Sequence, residues 1–382
     1  MPDEQKNPWC ITETDLRAQL RACRRDGIDA ALVTIAAVDG SAYRRPGAKM
    51  LVSTDRDAVG AVTAGCLEDP VRDLATDVIA ADTPRLEVFD LMDNDGSWGM
   101  GLGCNGIIDV FVEPLDESVD RALAALDDDE PVTVVTVIDS SGIGRRTLVT
   151  SDGSRESVPG REPVPAAALA DVADTIDRLH NTGTTGTVTA TAGDREYTLL
   201  VDSLQPVPEL LLFGSQNDLL PLADLATDIG FRVTVHSPRG AVDDNTIPAA
   251  DRVVTGHPST VGETVVTPDY TYAVVMSHNL VDDSIALRVL LKETTVPYVG
   301  LMGPRKRFAD LRETLSDDGV TLTEAELNRL ATPVGLDLGG GEPVEIALSI
   351  VSEVLAASNG RAGGRLRDRM GPIHPRAVSD SG

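Results

Sequence analysis

Apolar residues recur at helical spacing at Leu16, Leu20 and Cys23, so "TETDLRAQLRACRRDG" predicts a first helix. Thr12 can cap it with Asp15 three residues on, and Gly27 supplies the stop. The pattern then becomes continuous. "AALVTIAAV" at 30–38 predicts a buried strand, followed by the turn-rich "DGSAYRRPGAKMLV" and a second strand. "DAVGAVTAG" leads into a predicted helix that begins at Cys66, "CLEDPVRDLATDVIA", in which Val71, Leu74 and Val78 share a face. "GSWGMGLGCNGIIDVFVEP" closes the segment with a glycine-rich turn and a strand. Together these elements predict an N-terminal α/β domain over 1–126.

From 127 to 206 the pattern shortens to Thr/Val-rich runs separated by turns, such as "EPVTVVTVID", "RRTLVTSDG", "TGTVTATAG" and "REYTLLVDSL". The helix-like "PAAALADVADTIDRL" interrupts them, and the stretch predicts a β-rich bridging segment without evident chemistry. From 207 to 358 short apolar strands alternate with helices: "PELLLFG", "FRVTVHS", "DRVVT", "YAVVMSH" and "VPYVGLMG" against "NDLLPLADLATDIG", "LVDDSIALRVLLKE", "PRKRFADLRETL" and "PVEIALSIVSEVLAA". That cadence predicts a C-terminal Rossmann-like parallel sheet, so the whole chain reads as α/β. The Gly/Arg-rich tail from 359 to 382 has no pattern and is expected to be disordered.

Composition changes the picture in two ways. The formal net charge is −28, from 61 acidic and 33 basic residues, with only four lysines. The acids are spread along the chain rather than gathered in a tail, which reads as a halophilic solubility device and argues against nucleic-acid binding. No run approaches the roughly 18 apolar residues of a membrane span. "MPDEQKNPWC" lacks the basic-then-apolar order of a secretory signal. The expectation is a cytoplasmic protein, neither in a membrane nor on nucleic acid.

Four cysteines are present, none in a C-x-x-C pair, so neither a zinc site nor a disulfide framework is predicted. Cys23 lies in line with the first helix's leucines and reads as packing. Cys66 has two readings. It fills a turn as a small apolar residue, or it stands at a helix N-terminus where free N–H groups and the positive dipole end favour a thiolate. Arg44 and Arg45 in "YRRPG" would add to the second if they fold nearby. Cys104 in "GLGCNG" lies in a turn that a ligand can approach closely. Two soft thiolates on loops suit a metal, a soft ligand or a sulfur carrier better than hydrolysis, and Glu68 could take a proton or a hydrogen bond beside them. A redox scaffold in which the two cysteines pair is a third reading.

The first Rossmann turn, "LLLFGSQNDLLPLADLA", keeps Gly214 of a dinucleotide fingerprint but has Gln216 and Leu219 in the other glycine places. Ser237 stands where an acid would take the ribose hydroxyls, and Asp218 would repel a phosphate. An NAD(P)-linked oxidoreductase is thus the alternative function, and NAD(P) a doubtful cofactor. Other features fall at strand ends: His278 in "MSHN", and Gly303, Arg305 and Arg307 in "GLMGPRKR". "LGGGEPVEIALSI" runs a glycine turn into a helix with Pro343 at its first position.

These stretches in order resemble the XdhC/CoxI family of xanthine dehydrogenase accessory proteins. "GSAYRRPGAKMLV", "GAVTAGCLEDPV" and "GMGLGCNGIIDVFVEP" are similar to its N-terminal domain; "LLLFGSQNDLLPLADLATDIGFRVTVHSPR", "VVMSHNLVDD", "PYVGLMGPRKR" and "PVGLDLGGGEPVEIALSIVSEVL" to its C-terminal Rossmann domain. The resemblance implies an accessory factor rather than an enzyme: a chaperone that binds a molybdopterin-type molybdenum cofactor, between its cysteine-bearing domain and its Rossmann edge, and delivers it to a hydroxylase of xanthine dehydrogenase or CO dehydrogenase type. Implied partners are a cysteine desulfurase, a second copy of the chain and that molybdenum hydroxylase's large subunit. By position, Cys66 and Cys104 match the family's cysteines as contacts for the cofactor and its metal. Gly47, Gly65 and Glu68 match its glycine turns and acid, and Gly214, His278, Gly303 and Arg305 its Rossmann-edge motifs. The family's S-G-G-C is here Thr63, Ala64, Gly65, Cys66, and its G-A-G-H is Gly214, Ser215, Gln216, Asn217.

Overall fold

A computed structural model describes residues 7, 9–55, 58–91, 106–238, 240 and 246–370. The chain divides after Pro206 into two compact units.

The first unit opens with α1 (Glu13–Asp26). Thr12 and Asp15 form a reciprocal capping box, and Gly27 closes the helix in the left-handed conformation at φ +66°. Next come β1 (Ala30–Gly40), β2 (Lys49–Ser53), β3 (Val59–Gly60), α2 (Glu68–Ala81), β4 (Arg85–Asp90) and β5 (Gly106–Pro114). The strands form an antiparallel sheet in the order β3-β2-β1-β5-β4. β4 is mostly exposed, so its apolar pattern does not mark it as a strand. Val33, Ile35, Met50 and Val110 pack one face of the sheet against Val71, Ala75 and Val78 of α2. Leu32 and Leu51 pack the other against Leu16, Leu20 and Cys23 of α1.

A second antiparallel sheet follows. Its elements are α3 (Asp120–Asp127), β6 (Val132–Val137), β7 (Arg146–Thr150), β8 (Arg155–Ser157), α4 (Ala166–Asp171), α5 (Ala173–Thr182), β9 (Gly186–Ala192) and β10 (Arg195–Leu204), with strand order β8-β7-β6-β10-β9. The single helix expected in this stretch is two, broken at Val172. The β-rich segment belongs to the same compact unit as the first sheet. Ala36 and Phe111 of the first sheet share a buried cluster with Ile138 and Leu200 of the second.

The second unit contains β11 (Glu209–Phe213), α6 (Leu219–Asp228), β12 (Arg232–Ser237), β13 (Arg252–Thr255), α7 (Val261–Thr264), β14 (Thr271–Val275), α8 (Leu280–Lys292), β15 (Tyr298–Leu301), α9 (Arg305–Asp317), α10 (Glu324–Asn328), β16 (Leu330–Ala331) and α11 (Pro343–Ser358). All six strands are parallel, in the order β13-β12-β11-β14-β15-β16. Counted within the unit this is 3-2-1-4-5-6, the doubly wound Rossmann order. Leu222, Ala347 and Ile350 of α6 and α11 cover one face of the sheet, and Leu287, Leu290 and Leu311 of α8 and α9 the other. The strand order reverses between β11 and β14, and the carboxyl ends of those two strands form the crevice where such sheets take ligands. Of the tail, residues to 370 are exposed beyond α11, with a short 3-10 turn at Leu366–Asp368, and 371–382 lie outside the described residues.

Candidate functional site

Cys66 sits in a turn that the chain locks from within. Glu68 reaches back and accepts hydrogen bonds from the Thr63 hydroxyl (2.6 Å), the Thr63 N–H (3.2 Å) and the Leu67 N–H (3.2 Å). The Thr63 oxygen in turn accepts from the Gly65 and Leu67 N–H groups. Gly65 takes φ +117°, with open space where a Cβ would point. The predicted helix start at Cys66 is therefore corrected: α2 begins at Glu68, because these side chains satisfy the preceding N–H groups in a non-helical turn. Both Glu68 oxygens are engaged inside the turn. Cys66 is half-buried against the α2-side core, and its thiol is free. Cys104 lies outside the described residues.

Arg44 and Arg45 are exposed, and neither forms an ion pair among the described residues. Gly47 has φ +90°, and a Cβ there would stand 2.5 Å from Thr185 Oγ1. Its bareness lets the β1–β2 turn lie against the second sheet. Lys49 donates to the Gly47 carbonyl (3.1 Å) and pairs with Asp202 (2.7 Å), which also accepts from Thr185 (2.7 Å).

Sequence reasoning missed the charges buried between the two sheets. The Arg146 guanidinium donates to both Glu113 oxygens (2.5 and 2.6 Å), to Ser118 Oγ (2.8 Å) and to Thr136 Oγ1 (3.1 Å), and both charged side chains are about 5% exposed. Arg161 approaches Glu113 (3.6 Å) and pairs with Asp116 (2.8 Å). A cavity of about 70 Å3 opens beside them, walled by Leu16, Leu20 and Leu123 and rimmed by Lys49–Asp202 and Arg146–Glu113. Each of these rim charges already has a partner. The usable signal was "RR" in a short strand run: alternation turns one of two adjacent arginines inward.

In the second unit, Gly214 holds the end of β11 against β14. A Cβ there would meet the Met276 carbonyl at 3.0 Å. Asp218 caps α6 in position but makes no side-chain cap bond. Its Oδ2 instead lies 2.6 Å from His278 Nε2, across the point where the strand order reverses, while its Oδ1 is buried without a partner. His278 is half-exposed and takes φ +59°, a left-handed conformation uncommon outside glycine. Next to it, the Ser277 N–H and hydroxyl donate to Asp283 Oδ1 (3.1 and 2.5 Å). Asp283 is fully buried and receives the Arg307 guanidinium on Oδ2. Gly303, at φ +124°, leaves room for that arginine, since a Cβ would stand 2.5 Å from Arg307 Cδ. Gly303, Arg307 and His278 thus belong to one chain of contacts. Arg305 is exposed at the start of α9, with no ion pair among the described residues.

Among the described residues no group of three or more His, Cys, Asp or Glu could hold a metal, and no helix is long and apolar enough to cross a membrane.

Comparison with known proteins gives the family. Residues 23–90 match the XdhC and CoxI family, and residues 210–354 match the XdhC Rossmann domain. A Bacillus subtilis (strain 168) protein named as a probable xanthine dehydrogenase subunit is 30% identical over 347 residues, covering 89% of this chain and 97% of that protein. The uncharacterized protein YqeB of Escherichia coli (strain K12) is 25% identical over 263 residues, covering 64% of this chain and 46% of that one. A Bacillus halodurans crystal structure described as a xanthine dehydrogenase shares the fold with a TM-score of 0.75 at 24% identity, over 92% of this chain and 97% of its own. With both units matched and a relative aligned along nearly its whole length, this chain belongs to the XdhC and CoxI family.

Proposed function

We propose that this chain is an accessory protein of a molybdenum hydroxylase of the xanthine dehydrogenase type. It holds a molybdopterin-type molybdenum cofactor as cargo and passes it to the hydroxylase's large subunit. Family membership and the B. subtilis relative named for xanthine dehydrogenase support the accessory role. One structural observation carries the cofactor-holding part: the turn at 63–68 satisfies its own backbone with Thr63 and Glu68, and leaves the Cys66 thiol half-buried and free beside a glycine facing open space. A thiolate is a soft ligand suited to molybdenum or to the sulfur-rich end of its cofactor. The exposed Arg44 and Arg45 on the β1–β2 turn suit its phosphate. Cys104 is the proposed second sulfur ligand. Handing on a bound cargo needs no bond made or broken in the pterin, so the chain acts as carrier rather than catalyst. A cysteine desulfurase as source of sulfur, a CO dehydrogenase-type client, a homodimeric state and a cytoplasmic setting complete the proposal.

The experiment is cofactor binding in molar salt by wild type, Cys66→Ala and Cys104→Ala. Wild type retains molybdopterin through purification or takes it up, and Cys66→Ala loses at least tenfold in affinity. Wild-type affinity in Cys66→Ala removes that residue from the site. The strand order of the second unit also favours a nucleotide-binding reading, an NAD(P)-linked oxidoreductase. Tight NAD(P)H binding in a titration of the same protein would support it.

A further inference from the structure

Holding cargo at Cys66 makes no use of the cavity between the two sheets of the first unit. That cavity lies on the α1 side of the first sheet, whereas Cys66 packs on the α2 side. Alternation along β1 sets Thr34 on the face of Leu32, which packs toward α1, and away from Val33 and Ile35, which face α2. Leu32 and Thr34 both line the cavity. Thr34 is only 3% exposed, and its hydroxyl has no hydrogen-bond partner among the described residues. Taking a hydroxyl out of water without a partner costs free energy, so this one is built for an atom inside the cavity.

The rest of the wall narrows that atom and what carries it. Ser118 Oγ and Thr136 Oγ1 accept from Arg146 at 2.8 and 3.1 Å, and neither gives its own proton to an acceptor among the described residues. Lys49 uses two of its three N–H groups, on the Gly47 carbonyl and on Asp202. What the wall has to spare is therefore protons, and the ligand atom is an acceptor. The charges around it cancel: Arg17, Lys49 and Arg146 are paired with Glu13, Asp202 and Glu113. An ionic ligand would bring in an uncompensated charge, so the ligand is neutral. A volume of about 70 Å3 exceeds the ~10–15 Å3 that one water needs and is about half of a ~150 Å3 cavity that takes benzene. Water offers the same lone pairs but leaves the wall of Leu16, Leu20 and Leu123 wetted, which alkyl groups avoid.

We propose that this cavity binds a small neutral carbonyl compound, a short-chain ketone or aldehyde. The Thr34 hydroxyl donates to the carbonyl oxygen, and the alkyl groups lie against the leucines. An apolar wall with a few polar groups that fix orientation is the general build of a small-molecule site. The proposal stands independently of Cys66 and of the cofactor.

The test titrates the full chain, in molar salt, with acetone labelled with 13C at the carbonyl, and in parallel with isobutane, which has a similar shape and no oxygen. The carbonyl 13C resonance reports hydrogen bonding, and leucine methyl spectra report occupancy of the cavity. Wild type binds acetone saturably in the millimolar range, the bound carbonyl moves downfield, and leucine methyls of the wall shift. Thr34→Val keeps the side-chain shape without the hydroxyl. It still takes isobutane, which shows that the fold and the cavity survive, while its acetone affinity relative to isobutane falls at least fivefold. Leu20→Phe fills the space and excludes both molecules, and Cys66→Ala binds acetone as wild type does. No saturable acetone binding by wild type, an unchanged acetone-to-isobutane ratio in Thr34→Val, or acetone binding that survives Leu20→Phe overturns the proposal.

Discussion

Single residues in this fold are constrained by different physics even where their chemistry matches. Gly47 and Gly65 both take positive φ, but a Cβ at Gly47 collides with Thr185 at 2.5 Å and one at Gly65 meets nothing. Gly47→Ala therefore combines overpacking, about 1–3 kcal/mol, with backbone strain, whereas Gly65→Ala carries the strain alone. Thermal unfolding should place Gly47→Ala clearly below Gly65→Ala; the reverse order would refute the close contact with the second sheet. His236 shows the effect of burial. It is fully buried, bonded to Thr264 Oγ1 at 2.8 Å and stacked on Phe213 at 5.6 Å, and desolvation holds its imidazole below the ordinary histidine range. Unfolded, the same ring titrates near ~6.5. As pH drops through that value the unfolded chain takes up the proton first, so stability falls with acidification until the folded ring also protonates. His236→Phe keeps the stack and removes the titration. The loss of melting temperature between pH 7 and pH 5 should be smaller in the variant than in wild type, and an equal loss would show that His236 does not drive it.

Between elements, the main polar link is the Arg146–Glu113 pair joining β7 to β5, with Ser118 and Thr136 completing the guanidinium's partners. Removing one partner of a buried pair leaves an uncompensated charge, at a cost of about 3–5 kcal/mol. Arg146→Met should approach that loss, tempered by Arg161 at 3.6 Å from Glu113. Adding Glu113→Leu should recover much of it, since an apolar replacement removes the stranded carboxylate. Denaturant unfolding of the two singles and the double would measure the coupling, and simple additivity would mean the pair does not act as a unit. Alternation at "RR" could have turned one arginine inward, but its partner was not visible along the chain. The α1 cap, the strand–helix cadence of the second unit and the Pro343 helix start were legible because each is written within a few neighbouring residues. Arg146 and Glu113 are 33 residues apart on two different sheets, and Asp218 and His278 are 60 apart beyond the ends of paired strands, so sheet packing brings the first two together and strand pairing the second. Periodicity also put α2 two residues early, because the Thr63–Glu68 bonds that hold the Cys66 turn open depend on side-chain geometry rather than apolar spacing.

At the scale of the molecule, charge sets the conditions under which everything else holds. An excess of 28 negative charges remains after every cation is counted, and the ion pairs already engage Arg21, Arg24, Arg121, Arg145 and both Lys49 and Lys292. With 61 acids against 33 bases, carboxylates outnumber cations almost two to one however they pair, so their mutual repulsion disfavours the compact state. Screening acts over about 10 Å at 0.1 M salt and about 3 Å at 1 M, and the latter is shorter than the spacing of most surface charges. Added salt should therefore stabilise this chain, where in a charge-balanced protein it would mainly weaken surface pairs. The melting temperature should climb from 0.1 M to 2 M KCl by about 2–4 °C for each kcal/mol of repulsion relieved. Most of the rise should fall below 1 M, where screening changes fastest. Sucrose stabilises by exclusion from the surface without screening, so at matched osmolality it should give a shallower and more linear rise. Equal responses to the two solutes, or a melting temperature that falls with KCl, would mean that carboxylate repulsion is not what limits stability at low salt.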